Sequence, residues 1–267
     1  MHAFTASAAA ALVLLATVAA AGDTQAPPAA PKTAAATAAD RKVPFRPGET
    51  LTYDVSWSTY LTAGVATMTV RDRRASGAST AYYIVAEART AGLLSKLYTV
   101  YYKADTLLDT VSLLPQRGSL YSEEGDRHRT RITRFDQSAQ RADFEVRMKT
   151  LARASLRVPK YSQDALSAIY VLRAIPLKPG TRLTMPVCDG GAVYRVEFSV
   201  ATAETVALPT GRVQAYRLRP TIVDMTGQLV GRPMTIWLSA DDRRLPVKLR
   251  AELAIGSVDL LLRQVTP

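Results

Sequence analysis

The stretch Arg141-Ala142-Asp143-Phe144-Glu145-Val146-Arg147-Met148 decides the fold, because charged and apolar residues alternate along it without a break. Period two is the spacing of a strand with one buried face and one wet face. Leu51, Tyr53, Val55 and Trp57 alternate in the same way with Thr52, Asp54 and Ser56. Tyr194, Val196, Phe198 and Val200 repeat the pattern, as do Val247, Leu249, Ala251 and Leu253. Parallel strands covered on both faces read as solid apolar runs, so this alternation predicts an antiparallel sheet. Turn chemistry agrees, with Asp189-Gly190-Gly191, Pro209-Thr210-Gly211 and Asp241-Asp242-Arg243-Arg244 standing between the runs. The alternation criterion marks roughly eleven to thirteen strands.

One segment departs from this rhythm. Between Ser162 and about residue 175, Leu166, Ile169 and Leu172 recur at helical spacing, with Ser162 placed to cap the helix, Asp164 in the first turn and Pro176 as the stop. A single helix inside a long antiparallel sheet must pack on one face or plug the mouth of a curled sheet, or its apolar stripe would lie in water. The predicted fold is therefore all-β dominated: one large curved sheet or half-barrel with one inserted helix over about 162–175.

Working outward, residues 1–22 hold an apolar run, Ala8 to Ala16, followed by Ala19-Ala20-Ala21-Gly22. That core is too short to span a bilayer and is trailed by small residues, so it reads as a secretory signal cleaved near Ala21. Residues 23–42 are mostly Ala, Pro and Thr and read as a disordered tether. The β domain is expected over 43–267. Net charge is +11, and none of the Lys, Arg, Asp or Glu lies in the signal, so the mature chain is strongly basic. With export expected, nucleic acid is a poor partner; no mature segment approaches the roughly 20 apolar residues of a membrane helix. Cys188 is the only cysteine, which excludes an internal disulfide.

The chemistry-bearing residues are few. After cleavage His128 is the only histidine, so zinc sites built on histidine or cysteine are excluded. A serine triad would need His128, whose flanking Arg127 and Arg129 disfavour the imidazolium a general base must become. Neither Gly-rich phosphate motif occurs, and no cofactor is expected. Carboxylate pairs remain as an enzymatic option, acting on cell-wall carbohydrate, although Glu123, Glu124 and Asp126, and Asp241 with Asp242, read as turn residues. Between Arg117 and Lys160 there are eleven Lys or Arg against six Asp or Glu, and Arg127, Arg129 and Arg131 share one face of a strand. A guanidinium ridge of this kind binds phosphate or carboxylate, and it equally guards a strand against aggregation. Tyr98, Tyr101, Tyr102, Trp57 and Trp237 are the aromatics suited to a groove mouth, or to sheet packing.

Three blocks are recognisable together: Gly48 to Trp57, Asp164 to Arg173 with Pro176 to Gly180, and Ile236 to Val247. In order and spacing they resemble the bacterial envelope family catalogued as domain of unknown function 3108, over about Phe45 to Val265. The resemblance implies a periplasmic β-rich protein with no established activity. More distantly, the fold is similar to the half-barrels of periplasmic lipoprotein carriers, an analogy of fold alone. Within the blocks Asp164 and Arg173 sit nine residues apart, roughly opposite on a helix, so they do not pair with each other. Asp164 is expected to bridge instead to Arg243 or Arg244, pinning helix to sheet.

The leading functional expectation is a non-enzymatic periplasmic protein that binds an apolar or amphipathic anionic envelope ligand: lipid, lipopolysaccharide or lipoprotein. The candidate binding residues are Trp57, Tyr98, Tyr101, Tyr102, Arg127, Arg129, Arg131 and Trp237. The alternatives are an interaction module of an envelope complex, meeting a partner through a sheet edge, and a carboxylate-dependent enzyme on carbohydrate. An apolar internal cavity favours the first, a filled interior with an exposed apolar patch the second, and two acids in a cleft the third.

Overall fold

The computed structural model describes residues 39–58, 61–77, 79–92, 95, 99–253 and 256–267. The predicted signal, and the tether as far as residue 38, lie outside the described residues. Asp40 and Arg41, assigned to the tether, are bonded to the sheet: Asp40 accepts from Thr110 Oγ1 at 2.6 Å and pairs with Arg73, and the Arg41 amide donates to the Thr110 carbonyl at 2.9 Å.

Fourteen strands form one antiparallel sheet. They are β1 (Thr50–Trp57), β2 (Leu61–Ser76), β3 (Ser79–Thr90), β4 (Val100–Asp109), β5 (Pro115–Glu124), β6 (Arg127–Asp136), β7 (Arg141–Arg147) and β8 (Leu151–Arg157), then β9 (Arg182–Asp189), β10 (Ala192–Leu208), β11 (Gly211–Asp224), β12 (Met234–Ser239), β13 (Pro246–Glu252) and β14 (Ser257–Thr266). The count exceeds the eleven to thirteen expected because alternation fades where burial does. Edge strand β8 is exposed at five of its seven positions, so its sequence carries little period-two signal.

Every strand pairs with its neighbour in sequence except β8 with β9, and β1 pairs with β14. The meander is thus a ring opened at one seam. The single helix among the named elements, α1 (Ala165–Ala174), lies in the connection that crosses this seam. One rim carries the turns after β1, β3, β5, β7, β9, β11 and β13, and the opposite rim carries the rest. No helix of the described residues is long and apolar enough to cross a membrane.

The apolar positions of the alternating strands face inward and meet α1, which is buried on two sides. Leu166 and Tyr170 pack with Leu51, Tyr53, Met68 and Ile84. Ala168 and Leu172 pack with Val187, Val196, Phe198 and Leu218. Each large side chain buried this way contributes about 1.5–3 kcal/mol. The stripe expected at Leu166, Ile169 and Leu172 is therefore shifted: Tyr170 is fully buried and Ile169 only partly so.

The cap is also displaced from Ser162 to Asp164. Asp164 Oδ1 accepts from the amides of Leu166 (2.9 Å) and Ser167 (2.8 Å), and Ser167 Oγ accepts from the Asp164 amide at 2.9 Å, a reciprocal capping box. Ser162 Oγ is instead occupied with the Pro159 carbonyl. Gly118 lets the cap approach β5: a Cβ there would lie 3.2 Å from the Asp164 side chain.

Candidate functional site

The three blocks singled out in the sequence converge at the C-terminal end of α1. Arg173 Nη1 donates to Glu49 Oε1 at 2.7 Å and Nη2 to Oε2 at 3.1 Å, with both side chains buried. Nη2 also reaches the carbonyls of Pro44 and Arg243, each at 3.4 Å. The Phe45 and Tyr170 rings flank the guanidinium at 5.4 and 5.2 Å. From the β12–β13 hairpin, Arg243 lies 4.0 Å from Glu49, and Arg244 Nη1 donates to the Arg173 carbonyl at 3.3 Å. Tyr53 adds a bond from its hydroxyl to the Pro246 carbonyl at 2.9 Å. Beside this junction a pocket of about 360 Å³ opens, lined by Phe45, Arg46, Glu49, Arg243 and Val265 among others.

This geometry corrects the expected bridge from Asp164 to Arg243 or Arg244. Those arginines meet the other end of α1, while the Asp164 carboxylate is taken by its own helix and by Thr106 Oγ1 at 2.6 Å. The helix is pinned to the last hairpin, but by Arg173. A buried basic residue at the last turn needed a counter-charge, and only the fold shows that Glu49, a residue before the first strand, supplies it.

The sequence profile of the family described as a protein of unknown function (DUF3108) matches residues 52–263. The chain belongs to that family. No curated protein matches the sequence. Among solved structures, this DUF3108 chain is similar to a β-barrel-like protein of the DUF1849 family from Brucella abortus, with 10% identity, TM-score 0.50, and 81% of this chain and 96% of the other covered. Two further structures align at lower TM-scores. They are a candidate exported protein with a YmcC-like fold from Bacteroides fragilis (12% identity, TM-score 0.32, 86% and 100% covered) and a candidate lipoprotein from Parabacteroides distasonis (7%, 0.34, 85% and 100%). None of these descriptions names an enzymatic activity.

The predicted ligand residues are divided by the fold. Arg127, Arg129 and Arg131 stand opposite Glu124, Ser122 and Leu120 of β5, and residues opposite one another project from the same face. Leu120 and Arg131 line a slot with Ala165, Leu166 and Ile169, so that face is the inner one, the face that carries α1. Tyr102, opposite Ser122, joins them, with its hydroxyl bonded to Glu124. Tyr101 points to the outer face and donates to Glu87 at 2.7 Å. Trp57 is half-buried at the end of β1, beside Val258 and packed on the core. Trp237 projects from the face of β12 opposite Ile236 and Leu238, with its indole N–H donating to Glu204 at 2.7 Å and Lys248 over its ring at 4.9 Å. Tyr98 lies outside the described residues.

The slot between α1, β4, β5 and β6 holds only about 40 Å³, room for a few waters. Arg131, Asp164, Asp189 and Asp105 line it. Burial pushes Asp189 up to about 6, against the opposing pull of Arg131, and it also raises Asp164. Three acids thus share a slot, but one too small to admit a sugar. The inner face that the sequence offered to a ligand is occupied by α1, and what remains open is its rim. There Arg127 and Arg129 are exposed, and Met148, Leu151, Met225 and Leu229, in or beside turns of the same rim, are 43–71% exposed.

Sequence reasoning missed Glu49 and Asp189. Glu49 carried a signal, since it lies inside the first recognised block; Asp189 was hidden as a turn residue.

Proposed function

We propose that this DUF3108 protein is a non-catalytic, exported protein of the bacterial envelope whose rim holds an anionic amphipathic ligand, a phospholipid or lipopolysaccharide, at the surface. The observation that carries this reading is the shared placement of Arg127 and Arg129 with four exposed large apolar side chains on one rim. Exposed guanidinium groups attract phosphate or carboxylate head groups, and apolar side chains beside them enter the acyl boundary. Arg127 and Arg129 are exposed, and among the described residues neither has an ion pair within 4 Å, so their charge is available to a ligand, whereas Arg131 is half-buried beside Asp189. The filled interior argues against a chain swallowed into the sheet, as lipocalin-like barrels swallow theirs.

The test is flotation of the mature protein with anionic phospholipid, lipopolysaccharide-bearing and zwitterionic vesicles. Binding to one or both anionic surfaces, weakened by salt and by Arg127→Gln/Arg129→Gln at unchanged thermal stability, is the expected result. Folded protein that floats with no anionic vesicle at low salt overturns the reading. Intact mass of the protein in a periplasmic extract tests export, with cleavage near Ala21 expected.

A further inference from the structure

The two strands that border the seam differ. The β9 edge is partly covered, because Gln163 pairs with it in parallel: the Gln163 amide donates to the Pro186 carbonyl at 2.9 Å and the Cys188 amide to the Gln163 carbonyl at 2.8 Å. Further support comes from Ala142, Val158 and Cys188, which pack together with Leu156 and Val193 against them. Edge strand β8 pairs only with β7 among the described residues. Its stretch Leu151–Ser155, away from the packed Leu156, is exposed at four of five positions. A row of unpaired backbone amides and carbonyls at an exposed edge is a template for another strand.

The chemistry around this edge selects the strand. From Arg147 to Lys160 there are five basic residues and no acidic one. Such charge repels a second copy of the same edge, which removes self-association as the natural occupant. It attracts an acidic one. The faces differ further: Leu151, Arg153 and Ser155 stand opposite Arg147, Glu145 and Asp143, while Ala152 and Ala154 stand opposite Val146 and Phe144. Arg153 is held by Glu145 at 3.2 Å but remains highly exposed. An added strand would therefore set acids along the outer face, beside Arg153, and small apolar residues along the inner face, beside Ala152 and Ala154.

We infer that the Leu151–Ser155 edge of β8 is a docking site for an extended acidic segment of a partner protein, one that alternates acidic and apolar residues and adds a fifteenth strand at the seam. Main-chain pairing supplies the affinity, and Lys149, Arg153 and Arg157 supply the choice of partner. This site is independent of the arginines of the lipid-binding rim.

The probe is a capped seven-residue peptide alternating valine and glutamate, with its valine–lysine counterpart as control, titrated against the mature protein. Hydrogen exchange reads which amides become protected. Expected are binding of the glutamate peptide, slowed exchange within residues 151–155, and little binding of the lysine peptide. The variant Lys149→Glu/Arg153→Glu, at exposed positions, should weaken the acidic peptide at least tenfold and admit the lysine peptide, with thermal unfolding as the check on folding. Protection elsewhere without protection of β8, equal binding of both peptides, or undiminished binding by a folded charge-reversed variant would each overturn the inference. Arg127→Gln/Arg129→Gln should leave peptide binding unchanged, which separates this site from the rim.

Discussion

Arg173 and Glu49 form a bidentate ion pair 124 residues apart in sequence, at 2.7 and 3.1 Å, with the arginine side chain wholly withdrawn from solvent. It ties the last turn of α1 to the residue that precedes β1. Arg243 and Arg244 tie the same point to the β12–β13 hairpin. Three segments far apart in sequence are thereby locked at one rim, where the first and last strands of the ring also meet.

Removing one partner of such a pair strands a buried charge, so Arg173→Ala or Glu49→Ala is expected to destabilise by about 3–5 kcal/mol. The double variant Glu49→Leu/Arg173→Met replaces both charges by apolar volume and should recover most of that loss. Urea unfolding of the four proteins checks it. Single variants as stable as the wild type would mean that solvent reaches the pair.

Asp164 is expected to act as a helix cap and not as a partner of Arg243 or Arg244. Asp164→Ala removes bonds to two amides and to Thr106 Oγ1, for a loss of about 1–2 kcal/mol or somewhat more. A double-mutant cycle with Arg244→Ala should show additive effects, because Arg244 meets the opposite end of the helix. Strong coupling would contradict the assignment.

Asp189 makes stability depend on pH with a definite sign. Its pKa is about 6 in the folded protein against an ordinary 3.8, so the folded state holds the proton more tightly and stability falls as pH rises from about 4 to about 6. Asp189→Asn, which cannot ionise, should match the wild type near pH 4 and exceed it at pH 7.5 by about 1–2 kcal/mol, allowing for partial exposure. Thermal melts across that range measure the difference. A variant less stable than the wild type at pH 7.5 would show that the attraction to Arg131 outweighs burial.

Cys188 is buried between Ala142 and Val158, and burial pushes its thiol up to about 12. Thiolate, the reactive form, is then scarce at pH 8, so alkylation should be slow in the folded protein and fast in denaturant. Rapid labelling of folded protein would point to a reactive thiol.

The sheet was legible because alternation is a local property. Phe144, Val146 and their charged neighbours announce an antiparallel strand wherever one face is buried, and the isolated 3.6-residue period at Leu166 to Leu172 announces α1. The pattern dims at β8, which is exposed at five of its seven positions, and it runs one residue astray on α1, which is buried on two sides because the sheet wraps it.

Composition and periodicity therefore determined the class of fold, the helix α1 and the alignment of Arg127, Arg129 and Arg131 on one strand face. Tertiary structure alone decided that this face turns inward and that Trp237 is tied to Glu204. It also decided that Arg173 pairs with Glu49 across 124 residues while Asp164 caps its own helix. The physical reason is range. Strand and helix periods are written within a few neighbouring residues, whereas the partner of a buried charge and the face a side chain meets depend on how the fourteen strands wrap around α1.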